Sequence, residues 1–142
     1  MTILVVDDEP AYRLLLKDLL THEGHDVLLA GNGQETLEKM EAIRVDFVVS
    51  DVYMPVMDGL KFHKVMRSSP RWEKIPFLFV SAYDDQHTLE AVKNPKLERF
   101  IKKGRPTKEL TDWIKYLTLP ENERPKLAPG LRTNPPLGGV KR

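Results

Sequence analysis

Phe47-Val48-Val49-Ser50-Asp51 is a short apolar run that closes on an acid, and Val52-Tyr53-Met54-Pro55-Val56-Met57-Asp58-Gly59 follows it. Unbroken apolar character over so few residues is what a strand covered on both faces shows. The proline and the Asp-Gly step then mark a loop. An acid that ends a wholly apolar strand is costly unless it has a partner, so Asp51 calls for a cation or a donor beside it.

Working outward, four more runs read as strands, and three of them also end on a polar group. Ile3–Val6 (β1) runs into Asp7-Asp8, Phe77–Val80 (β4) into Ser81, and Arg99–Lys102 (β5) into Lys103. Val27–Ala30 is β2 and Phe47–Ser50 is β3. Helical spacing fills the gaps. Ala11–Glu23 (α1) carries Leu15, Leu16, Leu19 and Leu20 on one side, with Gly24 as its cap. Gln34–Ile43 (α2) carries Leu37, Met40 and Ile43, and Leu60–Arg67 is α3. Asp84–Val92 reads as a short α4. Thr107–Leu117 (α5) is the clearest, with Leu110, Trp113, Ile114 and Leu117 at i, i+3, i+4 and i+7 after Pro106. Alternating β and α units predict an α/β domain, a parallel sheet with helices on both faces. The carboxyl ends of such strands converge on one edge, where ligands bind.

A chain of 142 residues has room for one cored domain and a tail. The absence of cysteine excludes disulfides and thiolate metal sites. No secretory signal opens the sequence and no apolar run approaches the roughly 20 residues that span a bilayer, so the expected location is the cytoplasm, without membrane contact. From Thr118 onward lie five of the 22 basic residues and two of the 21 acids (+3), leaving 17 basic and 19 acidic residues in 1–117 (−2). That body does not suit direct nucleic-acid binding. The same terminal stretch holds five of eleven prolines and three of eight glycines without periodicity. Residues 1–118 are therefore expected to form the domain and 119–142 a Pro/Gly-rich flexible tail or linker.

The edge residues suggest a chemistry. Asp7, Asp8 and Asp51 repel one another unless a cation neutralises them, and an all-oxygen set suits Mg²⁺. A carboxylate such as Asp51 can attack phosphorus to form an acyl phosphate. Lys103 would supply a mobile point charge and Ser81 a hydroxyl for the phosphoryl oxygens. Taken singly, Asp7-Asp8 also reads as a solvated turn, and Ser81 or Lys103 as a loop residue. Their joint arrival at the strand ends is what favours a site.

Four stretches resemble the receiver domain of two-component response regulators, of the chemotaxis-regulator type, over about residues 2–118. They are Ile3-Leu4-Val5-Val6-Asp7-Asp8-Glu9-Pro10, Asp51 to Gly59, Ile75-Pro76-Phe77-Leu78-Phe79-Val80-Ser81-Ala82, and Phe100-Ile101-Lys102-Lys103. The resemblance implies a flavodoxin-like, doubly wound (βα)5 fold with strand order 2-1-3-4-5. It implies Asp51 as phosphoacceptor from a sensor histidine kinase or phosphotransfer protein in a phosphorelay. Mg²⁺ would be held by Asp7, Asp8, Asp51 and the backbone carbonyl of Tyr53. Ser81 and Lys103 would bind the phosphoryl oxygens, and Ser81 with Phe100 would form the switch. Output would pass through α4, β5 and α5 to a downstream partner or a fused domain, and two copies could pair through those elements. The expected bacterial protein is a signalling module, catalysing only its own phosphorylation and dephosphorylation.

Two departures carry expectations of their own. Gly104 follows Lys103 where the family usually has proline, which predicts a different path for the loop bearing Lys103. Lys102 is the neighbouring candidate, but strand alternation turns it to the other face. Asn94-Pro95-Lys96-Leu97-Glu98 replaces the usual Gly-Ala turn, and Pro95 should end α4 early. Other readings fit less well. A dehalogenase-type phosphatase or phosphotransferase needs a second Asp at the position of Tyr53. An FMN carrier would have its phosphate repelled by Asp7-Asp8-Glu9. A phosphorylation-independent docking scaffold would usually have lost some of the acids. His22, His25, His63 and His87 form no cluster and are expected at the surface. Trp113 is expected in the core, Trp72 partly exposed, and Tyr53 and Tyr83 either gate the acid edge or line a loop.

Overall fold

The computed structural model describes residues 1–83 and 86–129. Its first compact unit, Met1–Gly104, is an alternating β/α chain: β1 Thr2–Val6, α1 Pro10–His22, β2 Asp26–Ala30, α2 Gly33–Ala42, β3 Phe47–Asp51, α3 Gly59–Arg67, β4 Phe77–Ser81, α4 Gln86–Ala91 and β5 Glu98–Lys102. All five strands pair in parallel in the order β2-β1-β3-β4-β5. The order reverses between β1 and β3. With right-handed crossovers, α1 covers one face and α2, α3 and α4 the other.

The central strands β3 and β4 are buried along their whole length, as their unbroken apolar runs require. Leu4, Val6, Val48, Phe77 and Phe79 share one cluster with Met40 of α2 and Phe62 and Met66 of α3. Each such side chain contributes about 1.5–3 kcal/mol when withdrawn from water. Leu16 and Leu20 are the buried residues of α1.

Several expectations are corrected. Leu15 is exposed, because the buried stripe of α1 runs through Leu16 and Leu20 and leaves Leu14 and Leu15 outward. Ile43 is the exposed C-cap of α2 rather than part of its apolar face. Trp72 is buried in the main cluster, and Arg71 stacks over its ring. His63 is buried, only 7 % exposed, between Phe77 and Phe79 and against Glu98. Helix α4 does end well before Pro95, at Ala91; Asp84 and Asp85, where it was expected to begin, lie outside the described residues.

The second unit begins at Arg105 and carries α5, Thr107–Thr118. Leu110, Trp113, Ile114 and Leu117 are buried at the expected helical spacing. A 3₁₀ turn at Glu121–Glu123 follows, inside the stretch expected to lack structure. Arg124 stacks on Tyr116 and donates to the carbonyls of Leu117 and Leu119, satisfying acceptors that the helix end would leave unpaired. Residues 130–142 of the expected tail lie outside the described residues.

Candidate functional site

Strand register, more than any one side chain, assembles the site. Val6 pairs with Ser50, Asp51 with Val80, and Ser81 with Lys102. The residues at or just past these positions therefore meet along one sheet edge, at the β1/β3 switch point where open α/β sheets hold ligands. Two backbone bonds fasten the outer members: Asp7 N donates to Ala30 O at 3.0 Å, and Lys103 N to Ser81 O at 2.8 Å.

Asp7 is 1 % and Asp51 8 % exposed, whereas Asp8 faces solvent. Carboxylate oxygens of the three lie within 4.8 Å of one another. Asp7 Oδ1 accepts from Glu9 N (2.8 Å), and Asp51 Oδ1 from Val52 N (2.8 Å), which fixes both carboxyl planes. Lys103 Nζ stands 2.8 Å from Asp7 Oδ2, 3.3 Å from Asp51 Oδ2 and 3.5 Å from Glu9 Oε1. Asp7 Oδ2 is buried and is held by its ion pair with the Lys103 ammonium. Ser81 Oγ, at the end of β4, accepts from Tyr83 N at 3.1 Å. Tyr53 and Tyr83 meet edge to face at 5.9 Å, both exposed.

Electrostatics follow from this crowding. Burial, reinforced by the charge of Asp7, pushes the Asp51 carboxyl up to about 6 despite the opposing Lys103. Burial likewise raises Asp7, against the hydrogen bond and charge of Lys103. For Lys103, burial disfavours the charge, but Asp7 and Asp51 outweigh it and carry the ammonium above its ordinary range. The site therefore pairs one partly buried cation with an excess of acids. A hard divalent cation fits it: three carboxylates bring oxygens within 4.8 Å of one another, an all-oxygen set with more negative charge than Lys103 alone neutralises.

The loop after β3 is shaped around Asp51. Gly59 N donates to Val52 O at 2.7 Å, and a Cβ at Gly59 would overlap the Asp51 carbonyl oxygen. Only glycine lets α3 start so close to the strand end. Val56 adopts φ +70 at the centre of a three-residue turn in which Met57 N donates to Pro55 O at 2.8 Å. Asp58 then caps α3 by accepting from Lys61 N.

Sequence reasoning placed Asp7, Asp8, Asp51, Ser81 and Lys103 on one edge, and all five lie there. Gly104 takes φ +95, a left-handed turn, and the loop still delivers Lys103 to the acids, while Lys102 is exposed. Sequence reasoning missed Tyr12 and Arg13, and gave Glu9 no part beyond repelling a phosphate. The Tyr12 ring lies beneath Lys103 Nζ at 4.5 Å from its centroid, Glu9 adds a carboxylate, and Arg13 Nη1 donates to Asp7 O at 2.6 Å. Burial pushes the Tyr12 hydroxyl up to about 12, so the ring beneath the ammonium stays neutral. The available signal was position: all three lie in or beside the first turn of the helix that follows Asp7.

The family whose model matches the chain is the response regulator receiver domain, over residues 3–115. An uncharacterised 14.6 kDa protein of Leptolyngbya boryana is 36% identical over 119 residues, 84% of this chain and 91% of that protein. The transcriptional regulatory protein TrcR of Mycobacterium tuberculosis is 40% identical over 82 residues, 58% of this chain but 31% of that protein. Among solved structures, response regulator TrrA of Thermotoga maritima, in complex with Mg²⁺-BeF, is similar with a TM-score of 0.72 and 32% identity, covering 82% of this chain and 97% of that one.

Proposed function

The chain belongs to the response regulator receiver domain family, and on that premise we propose that Asp51 is its phosphoacceptor, charged by the phosphohistidine of a kinase or phosphotransfer protein. The observation that carries this reading is the environment of Asp51: a carboxylate at a strand end, raised to about 6 and 3.3 Å from a partly buried ammonium. Such a group is ionised at neutral pH and is a better nucleophile than an ordinary aspartate. An Asp51 oxygen attacks phosphorus, the P–N bond breaks, and the imidazole leaves with the bonding pair. The product is an acyl phosphate.

Lys103 sits where charge on the transferring oxygens would build, already stripped of much of its water. The Tyr12 ring beneath it and the hydrogen bond from Lys103 N to Ser81 O hold it there. Ser81 Oγ accepts from Tyr83 N and keeps its own O–H to donate to a phosphoryl oxygen. Asp7, Asp8 and Asp51, with the backbone carbonyl of Tyr53, would hold Mg²⁺; a divalent cation there neutralises the acids and the incoming phosphoryl group. Phe100, half-buried against the core and paired with Phe79, is the switch aromatic. Output runs through α4, β5 and α5, to a separate partner or a fused domain, and the working unit is residues 1–118 with 119–142 as linker or tail. Exposed Leu14 and Leu15 on α1, the helix that begins beside the acids, give an incoming donor an apolar foothold.

The role is that of a signalling module acting on itself rather than on an external substrate. No helix among the described residues is long and apolar enough to cross a membrane, and we place the protein in the cytoplasm. Incubation with Mg²⁺ and acetyl phosphate, read by intact mass, tests the central claim. One phosphoryl adduct is expected on the wild type and none on Asp51→Asn. An adduct that survives the substitution, or never forms, refutes the assignment.

A further inference from the structure

Glu98 opens β5 at the sheet edge opposite the acid cluster, and its carboxyl group is 2 % exposed. It is fully engaged. Oε2 meets His63 Nε2 and accepts from Arg67 Nε at 2.7 Å; Oε1 accepts from the amides of Lys93 and Asn94, each at 3.1 Å. Beside it, α3 and the turn entering β5 enclose a cleft of about 470 Å³, a volume typical of small-molecule sites.

The cleft is asymmetric in chemistry. Leu60, Ala91 and Leu97 form its apolar wall, and Lys64, Arg67 and Lys93 its basic groups. Arg67 uses Nε for Glu98 and Nη1 for the carbonyls of Trp72 and Glu73, but Nη2 is buried with no partner. Lys64 and Lys93 form no ion pair among the described residues. Apart from His63, three cations face two acids, Glu73 and Glu98, so the lining carries a net +1. Glu98 is already neutralised by its own donors.

We propose that this cleft binds a small organic monocarboxylate. Its apolar body, aromatic or short acyl, packs on Leu60, Ala91 and Leu97, and its carboxylate pairs with the ammoniums of Lys64 and Lys93, the Arg67 guanidinium adding its charge. The single net positive charge matches a monoanion, and the two exposed lysines give its carboxylate charge-assisted donors. A ligand there ties α3 to the turn that leads into β5, the strand that carries Phe100 and delivers Lys103. The binding claim is independent of the role of Asp51.

The test is an amide NMR titration of the ¹⁵N-labelled full chain without Mg²⁺, with 4-phenylbutyrate as the probe. Under these conditions the acid edge repels a carboxylate, so the two sites separate. Saturable shifts are expected at Leu60, Lys64, Arg67, Ala91, Lys93, Asn94 and Leu97, unchanged in Asp51→Asn. The neutral analogue 4-phenylbutan-1-ol should bind about tenfold more weakly, as should phenylbutyrate to the Lys64→Gln/Lys93→Gln protein, whose replaced side chains are exposed. The proposal is overturned if shifts do not saturate or centre elsewhere. Equal binding of the alcohol, or undiminished binding by the double variant, overturns it as well.

Discussion

Val56 shows how a single residue stores strain beside a functional group. A β-branched side chain at φ +70 is disfavoured by clash with its own backbone, yet 80 % of Val56 is exposed and nothing packs on it to compensate. Replacing it by asparagine, which tolerates the left-handed region, should stabilise the protein by about 1 kcal/mol in urea unfolding. Gly59→Ala, three residues on, should do the reverse by about 1–3 kcal/mol, because the added carbon meets the Asp51 carbonyl. Equal effects of the two substitutions would contradict the strain assigned to this loop. The sequence marked both residues as a turn through Pro55 and Asp58-Gly59. It could not mark which of them bears the strain, since φ at Val56 is imposed by the need to bring α3 back onto β3.

Among the elements, α3 and the α4–β5 turn are joined by charge through Glu98. Burial alone would raise Glu98, but the hydrogen bonds of His63, Arg67 and the Asn94 amide outweigh it and hold the carboxyl down to about 2. The folded value lies below the ordinary 4.5, so the ionised form favours folding. That contribution is complete above pH 4.5 and is lost as pH falls toward 2. Its size is about 3 kcal/mol, from the shift. Urea unfolding of Glu98→Gln should therefore show a deficit of about that size at pH 6 that shrinks progressively below pH 4.5. A deficit independent of pH would deny Glu98 this role. The Asn94–Glu98 segment was legible as a departure and as an early stop for α4. That its glutamate would dive inward was not, because the donors come from α3, some thirty residues earlier in the chain.

For the whole molecule, the acid edge is a site of stored repulsion. The folded Asp51 carboxyl near 6 lies above its ordinary 3.8, so folding loses stability as pH rises through that window. In the metal-free protein at pH 7, Asp51→Asn should raise stability by about 1–3 kcal/mol. Mg²⁺ should raise the Tm of the wild type, by the equivalent of about 1 kcal/mol once it reaches roughly five times its Kd. Asp8→Asn should abolish most of that rise while leaving the exposed surface otherwise intact. A wild-type Tm indifferent to Mg²⁺ would argue against the divalent site.

Continuous apolar runs, turn residues and helical spacing were enough to determine a parallel α/β sheet and to bring Asp7, Asp8, Asp51, Ser81 and Lys103 to its carboxyl edge. These features are local in the chain, and a parallel sheet converts strand ends into neighbours without further information. Tertiary structure decided the rest. Which leucines of α1 are covered depends on the rotation of the helix against the sheet, which four apolar residues on adjacent turns leave open. His63 is buried because β4 and Glu98 of β5 close around it, and Trp72 because it joins the cluster of α2, β3, α3 and β4; a polar flank in sequence conceals both. The Tyr12 ring beneath Lys103, the Glu98 network and the basic cleft beside it each join residues distant in sequence. Their free energy exists only once the sheet has set those distances.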